Sequence, residues 1–344
     1  MKDIVHVVFA FSDSSGEYSK YVATTMISIL ENTNKNICFH LLHDETLDNE
    51  KKFFFIDLIN TYKQDIKFNL VELPANLKSI SKIVGTLLRV YIFNICDVDK
   101  IIYLDGDILV NDDIYNLWKI NIDDYYCAAV KDIDYTRKII INTKYYKKIG
   151  IDYRKYFNAG VLYFNCKKIR DKYNVLFELK SFYKNNKYIL FDDQDFFNYL
   201  LQDKTLFLND RFNKIIENID EIEQKDFEKK YILHFAGNFK PWNCKNEIVI
   251  FFYYKYYAKL FKENLIENIC KSMSYIPKNN FNKMKLNLFL LQYRKDKNER
   301  ILFYFLYIFK GVFSEKLFDK LVKIIRKLKV KLLYNLYYVL KSRV

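Results

Sequence analysis

Glycine and proline are scarce in this chain, with seven Gly and three Pro among 344 residues. Linkers are therefore poorly marked, and Pro277-Lys278-Asn279-Asn280 is the best boundary signal. Paired cysteines are missing as well. Cys38, Cys96, Cys127, Cys166, Cys244 and Cys270 stand singly, with no CxxC spacing, which argues against a disulfide framework and for reduced, buried thiols. No charged segment followed by an apolar stretch and a small-residue cleavage site opens the chain, and Asp3 and His6 already interrupt a strand-like run. A cytosolic start is expected. Nor does any apolar stretch of the basic C-terminal segment reach the roughly 18 residues of a spanning helix.

What is present is a large apolar fraction, 51% of residues, enough to bury a full core in one large domain plus an appendage. Strand-type runs at Ile4–Phe11, Ile37–Leu42, Ile66–Leu73 and Ile101–Leu104 alternate with helical patterns at Tyr18–Glu31, Asn49–Tyr62 and Lys82–Ile95. This βαβαβαβ order predicts an α/β fold with a mostly parallel sheet, helices on both faces and a ligand crevice at the strand C-termini. Further on, the pattern predicts a short helix near Asp113–Trp118 and strands at Tyr125–Val130, Ala159–Phe164 and Tyr231–Phe235. A helix is expected from about Cys166 to Tyr183.

Charge is distributed unevenly. Residues 1–270 balance, whereas 271–344 hold 18 Lys/Arg against 4 Asp/Glu and so carry the whole net charge of +14. Leu317, Leu321, Ile325, Leu328, Leu332, Leu336 and Val339 follow helical spacing there, beside Lys316, Lys320, Lys323, Lys327 and Lys331. The division expected is 1–270 as the main α/β domain and 271–344 as a basic amphipathic helical region. That region would lie on an anionic membrane surface through 285–344, or else cap the fold with its lysines solvated.

The segment Lys100-Ile101-Ile102-Tyr103-Leu104-Asp105-Gly106-Asp107-Ile108-Leu109-Val110 delivers two carboxylates to a strand's C-terminal end. Asp97/Asp99, Asp132/Asp134 and Asp193/Asp195 share the spacing, so context separates them. Extended backbone would put Asp105 and Asp107 on one face, with Gly106 leaving the ligand side open, and oxygen ligands of that kind hold Mg²⁺ or Mn²⁺. A solvated turn between Leu104 and Ile108 would have the same sequence. A second segment, Leu233-His234-Phe235-Ala236-Gly237-Asn238-Phe239-Lys240-Pro241-Trp242, puts an imidazole at a strand end. It adds a Gly for close anion approach and a Lys for phosphate charge. Adding imidazole to two carboxylates favours Mn²⁺, although a lone His in an apolar strand also suits a satisfied core.

Together with Ser12-Asp13 and Tyr18, Leu88-Arg89-Val90-Tyr91, Phe157-Asn158-Ala159-Gly160-Val161-Leu162 and Asp193-Gln194-Asp195, these segments resemble glycosyltransferase family 8. That family comprises retaining enzymes and includes bacterial lipopolysaccharide glucosyl- and galactosyltransferases. The resemblance covers roughly residues 4–245. It implies a GT-A fold, Mn²⁺ or Mg²⁺ and a cytosolic UDP-glucose or UDP-galactose donor, with retention of the α-configuration. By motif position it makes Asp105, Asp107 and His234 the metal ligands, with Asp105 and Gly106 also at the donor. Asp13 and Arg89 would lie near the uridine and diphosphate, and Gly237 and Lys240 on the phosphates. Asn158, Asp193 and Gln194 would face the transferred sugar, and Asp132 the sugar and acceptor. One departure is Ser14-Ser15-Gly16-Glu17 between Asp13 and Tyr18, where the family more often has two residues.

The implied acceptor is a lipopolysaccharide core or other glycan or lipid-linked oligosaccharide at the cytoplasmic face of the inner membrane. Two other readings stand beside this one. A haloacid dehalogenase-type phosphatase would use Asp105 as nucleophile and Asp107 as acid/base, but about three βα units precede the motif. A nucleic-acid-binding protein would use the basic tail, but its aromatics fall on an apolar helical face instead of a groove, so no nucleic acid is expected.

Overall fold

The computed structural model describes residues 4–74, 84–132, 143–186, 189–216, 219, 222–237, 240–244 and 246–260, all within one compact unit. The basic segment 271–344 lies outside the described residues. Ten strands occur among those described: β1 (Ile4–Phe11), β2 (Asn36–His43), β3 (Asp65–Leu70), β4 (Lys100–Leu104), β5 (Ile108–Val110), β6 (Cys127–Lys131), β7 (Phe157–Asn165), β8 (Thr205–Phe207), β9 (Lys214–Ile215) and β10 (Ile232–His234).

Seven strands form one sheet in the order β3-β2-β1-β4-β7-β6-β8, and a small sheet has the order β5-β10-β9. The first four strands pair in parallel, as the alternation of strands and helices requires. β7 then runs antiparallel to both β4 and β6. The fold is therefore the expected mixed α/β sheet. β7 is buried along all nine residues; its Phe164 packs on Phe197, which touches Phe196, each of the three fully buried and worth about 1.5–3 kcal/mol to the fold.

Helix Asn49–Tyr62 begins and ends where the sequence predicts, with the Asp48 side chain accepting from Lys51 N at its N-cap. Two predicted helices are corrected. Cys166–Tyr183 is two helices, Cys166–Lys172 and Val175–Asn185, because Tyr173 is extended and the Asn174 side chain accepts from Phe177 N to start the second. The predicted helix Lys82–Ile95 has described parts Val84–Leu88 and Ile92–Ile95, separated by a tight 3₁₀ turn at Arg89–Tyr91. The predicted strand Ile66–Leu73 ends at Leu70.

The first helix, Tyr18–Leu30, carries an unusual buried stripe. Thr25 Oγ1 donates to Ile108 O at 2.7 Å and Gly106 O at 3.1 Å, and Ser28 Oγ accepts from Val110 N at 2.9 Å. Just past the helix, Asn32 Nδ2 donates to Val110 O at 3.0 Å. β5 pairs with β10 on one side only, so these side chains satisfy backbone groups of its free edge that burial would otherwise leave unpaired.

Candidate active site

The turn Asp105-Gly106-Asp107 joins the two sheets: the chain leaves the large one at Leu104 and enters the small one at Ile108. Backbone bonds clamp it from both, Asp105 N donating to Gly160 O at 2.9 Å and Phe235 N to Asp107 O at 3.1 Å. A Cβ on Gly106 would lie 3.0 Å from both Tyr18 Cε1 and Val22 Cγ2. The expectation that Gly106 opens the ligand side is thus corrected: the glycine is there because the first helix packs against it.

Asp105, Asp107 and His234 present ligand atoms within 4.8 Å of one another. His234 Nε2 lies 3.7 Å from Asp105 Oδ2 and 3.5 Å from Asp107 Oδ1. The other oxygens are engaged, Asp105 Oδ1 by the Tyr103 hydroxyl and by Arg89 Nη1 at 3.3 Å, Asp107 Oδ2 by Lys240 Nζ. Burial opposes charge on Asp107, but the His234 imidazole and Lys240 ammonium outweigh it and hold the carboxyl well below the usual range. Burial likewise opposes charge on His234, and Asp107 and Asp105 together raise its pKa. Asp107 Oδ1 is buried without a hydrogen-bond partner. Two carboxylates and an imidazole around such an oxygen are a donor set that fits a divalent cation.

Two residues missed at the sequence level aim the imidazole. Asn213 Nδ2 donates to Asn158 Oδ1 at 2.8 Å, so its Oδ1 is the acceptor facing His234 Nδ1 at 3.0 Å. When the ring is neutral its proton therefore sits on Nδ1, leaving the Nε2 lone pair toward the carboxylates for a metal. Gly160 lies against the ring face: a Cβ there would be 2.1 Å from His234 Cε1 and 2.7 Å from Nδ1. Gly160 belonged to a recognisable segment, whereas nothing around Asn213 in the sequence marks it.

The network continues away from His234. Asn158 Nδ2 and Gln194 Nε2 both donate to Asp132 Oδ2, at 3.2 and 3.1 Å, and Gln194 Oε1 accepts from Ala159 N at 2.8 Å. Arg89 is buried, donates to Ala159 O at 2.8 Å, and pairs with Asp105 and Asp193. Burial pushes the Asp193 carboxyl up to about 7, against the pull of Arg89. Asp13 is tied to the start of the first helix: its Oδ1 accepts from Tyr18 N at 2.7 Å and Ser19 N at 3.2 Å, and its Oδ2 faces Lys51 Nζ at 3.3 Å. Gly237 has a φ of 82° and open space where a Cβ would be, so its role is conformational. Trp242 stacks on Tyr21 of the first helix, ring centroids 3.7 Å apart.

The profile of glycosyl transferase family 8 matches residues 6–246. A Haemophilus influenzae relative is 31% identical over 252 residues, spanning 70% of this chain and 74% of its own. Lipopolysaccharide 1,2-glucosyltransferase of Escherichia coli is 29% identical over 249 residues, 66% of this chain and 70% of that enzyme. Among solved structures, the galactosyltransferase LgtC in complex with donor and acceptor sugar analogues superposes with a TM-score of 0.63 at 23% identity. It is covered over its full length and covers 78% of this chain.

Proposed function

Since the chain belongs to glycosyltransferase family 8, we propose that it is a metal-dependent, retaining hexosyltransferase that moves glucose or galactose from a UDP-sugar to a lipopolysaccharide-core or other glycan or lipid-linked acceptor. The observation that carries this reading is the buried Asp105–Asp107–His234 set, with an unpartnered Asp107 oxygen at its centre and Lys240 on its rim. These three residues would hold Mn²⁺ or Mg²⁺, which when bound supplies positive charge to the diphosphate as the leaving group departs. Lys240 adds a second charge to the phosphates, and its stem lets the ammonium turn from Asp107 to a phosphate oxygen. Gly237 supplies backbone to the same phosphates.

Arg89 is held by Asp193 and Asp105 and by Ala159 O, which supports the reading that it lies beside the diphosphate, with Asp193 below the sugar. Asn158, Gln194 and Asp132 form the surface that meets the transferred hexose, with Asp132 toward the acceptor. A double displacement would need a free nucleophile. Asp132 Oδ2 already accepts two N–H donors and Gln194 is spent on both of its ends, so the reading is attack from the leaving-group face. A phosphate oxygen then takes the acceptor hydroxyl's proton. Asp13, bonded to the first helix, contributes to the uridine site through that helix start.

The basic segment 271–344, outside the described residues, would attach the enzyme to the anionic cytoplasmic leaflet through 285–344. Among the described residues no helix is long and apolar enough to cross a membrane. The phosphatase alternative is displaced by family membership, and it would also need Asp105 free as nucleophile where Tyr103 and Arg89 hold one of its oxygens.

The test is UDP release from a panel of UDP-sugars with Mn²⁺ or EDTA, in the wild type and in Asp107→Asn. Hydrolysis of one donor, abolished by EDTA and by the substitution, is the expected result. Undiminished release in EDTA would overturn metal dependence, and a trapped sugar adduct on any carboxylate would overturn front-face attack.

A further inference from the structure

We propose that His6, Cys38 and His40 form a second cation site, for a borderline-soft divalent ion of the zinc class, separate from the candidate active site. The pleat builds it. Cys38 and His40 are alternate residues of β2 and share a face, and His6 on β1 is in register with Cys38. Their donor atoms lie within 4.8 Å of one another. His6 Nδ1 is 3.1 Å from His40 Nε2, and Cys38 Sγ is 3.7 Å from that same nitrogen. Ligands around a tetrahedral zinc with ordinary bond lengths sit roughly 3.3–3.6 Å apart, so the two distances to His40 Nε2 are within a few tenths of an ångström of coordinating ones, and the Cys38–His6 distance is at most 4.8 Å.

The donor chemistry differs from that of the active site. Two imidazoles and a thiolate select zinc-class ions, whereas Asp105 and Asp107 offer oxygen to Mg²⁺ or Mn²⁺. Both histidines are in the state a metal requires: burial lowers the His40 pKa to about 4 and also lowers that of His6, with Lys67 adding to both shifts. The His6–His40 contact uses one N–H, and that proton can move to the ring's other nitrogen without any change of charge. Binding also requires the Cys38 thiol to release its proton to solvent, which burial resists and a bound cation favours. His6 is only half-buried, giving the ion a way in and water a place as fourth ligand. Lys67, in register with His40 on β3, is the opposing charge, and its long stem can carry the ammonium out to water. Such an ion would tie β1 to β2 near the start of both strands, about 13 Å by strand rise from the level of the Asp105 turn.

The experiment is a Co²⁺ titration of the full chain, read by absorption. A thiolate-to-cobalt charge-transfer band in the near ultraviolet is expected in the wild type and in Asp107→Asn. It should vanish in Cys38→Ser, persist in Cys244→Ser, and require more than about tenfold more cobalt in His6→Gln. Because the Asp-Asp-His set has no sulfur, this band does not arise there, and its loss in Cys38→Ser assigns it to the second site. No band in folded wild type, or a band that survives Cys38→Ser, overturns the proposal. Should Cys38→Ser fail to fold, His6→Gln decides: an unchanged cobalt midpoint there also overturns it.

Discussion

The parallel half of the sheet, β3-β2-β1-β4, and the half built from β7, β6 and the small β5-β10-β9 sheet solve different problems with polar residues. In the first, polar side chains serve the backbone: Asp13 and Asp48 accept from the N–H groups that open helices, and Thr25, Ser28 and Asn32, on and just past the first helix, reach across to finish the edge of β5 in the second. In the second they serve one another, in a run from His234 through Asn213, Asn158 and Asp132 to Gln194. Loss of a residue from the first group should therefore cost stability, and loss from the second should cost chemistry.

The sharpest way to break that division is Gly160→Ala. Its added methyl cannot coexist with the His234 ring, so UDP release should fall to background while overpacking costs about 1–3 kcal/mol of stability. Thermal melting beside the UDP assay checks it; a lower Tm with normal activity would erase the distinction. Next comes Asn213→Leu, which frees His234 Nδ1 and should weaken Mn²⁺ binding about 10–100-fold with little loss of secondary structure, measurable by calorimetry and circular dichroism.

A smaller effect is expected from pH. His234 has a raised folded pKa, so the stability drawn from its pairing with Asp107 is full below about 6.5 and declines as pH climbs through the folded value. Metal needs the neutral ring, so Mn²⁺ affinity should rise over that same window as metal-free stability falls. Asp107, with a depressed folded pKa, contributes stability above about 3.9 that disappears as pH drops through its folded value. Melting and metal titrations from pH 5 to 9 would show the two opposite trends, and parallel trends would exclude His234 as a ligand. Smallest is Asp48→Ala at the cap of Asn49–Tyr62, which should lower Tm by only about 2–4 °C and leave UDP release unchanged.

The same division explains how much of the molecule was legible in its sequence. β1, β2, β4 and the helix Asn49–Tyr62 announce themselves by period, because apolar packing dictates them. The predicted helix over Cys166–Tyr183 misses its break because Asn174 acts through one side-chain bond, which leaves the hydrophobic pattern intact. β8 and β9 span three and two residues, too few to show any period. Asp105, Asp107, His234 and Lys240 are found where their motifs bring them together, but Asn213 is invisible beforehand because its partners are distant in sequence. Gly106 is visible but misleading: a glycine beside carboxylates suggests ligand access, and only the packing of Tyr18 and Val22 reveals the constraint on it.

Positions 160 and 234 cannot drift independently over evolutionary time. A lineage that replaces the histidine with a smaller residue releases the glycine from its constraint, and one that enlarges residue 160 first loses the histidine's place. Among descendants of a common ancestor the two positions should therefore change together, the histidine surviving only where nothing bulkier than hydrogen has arisen opposite it.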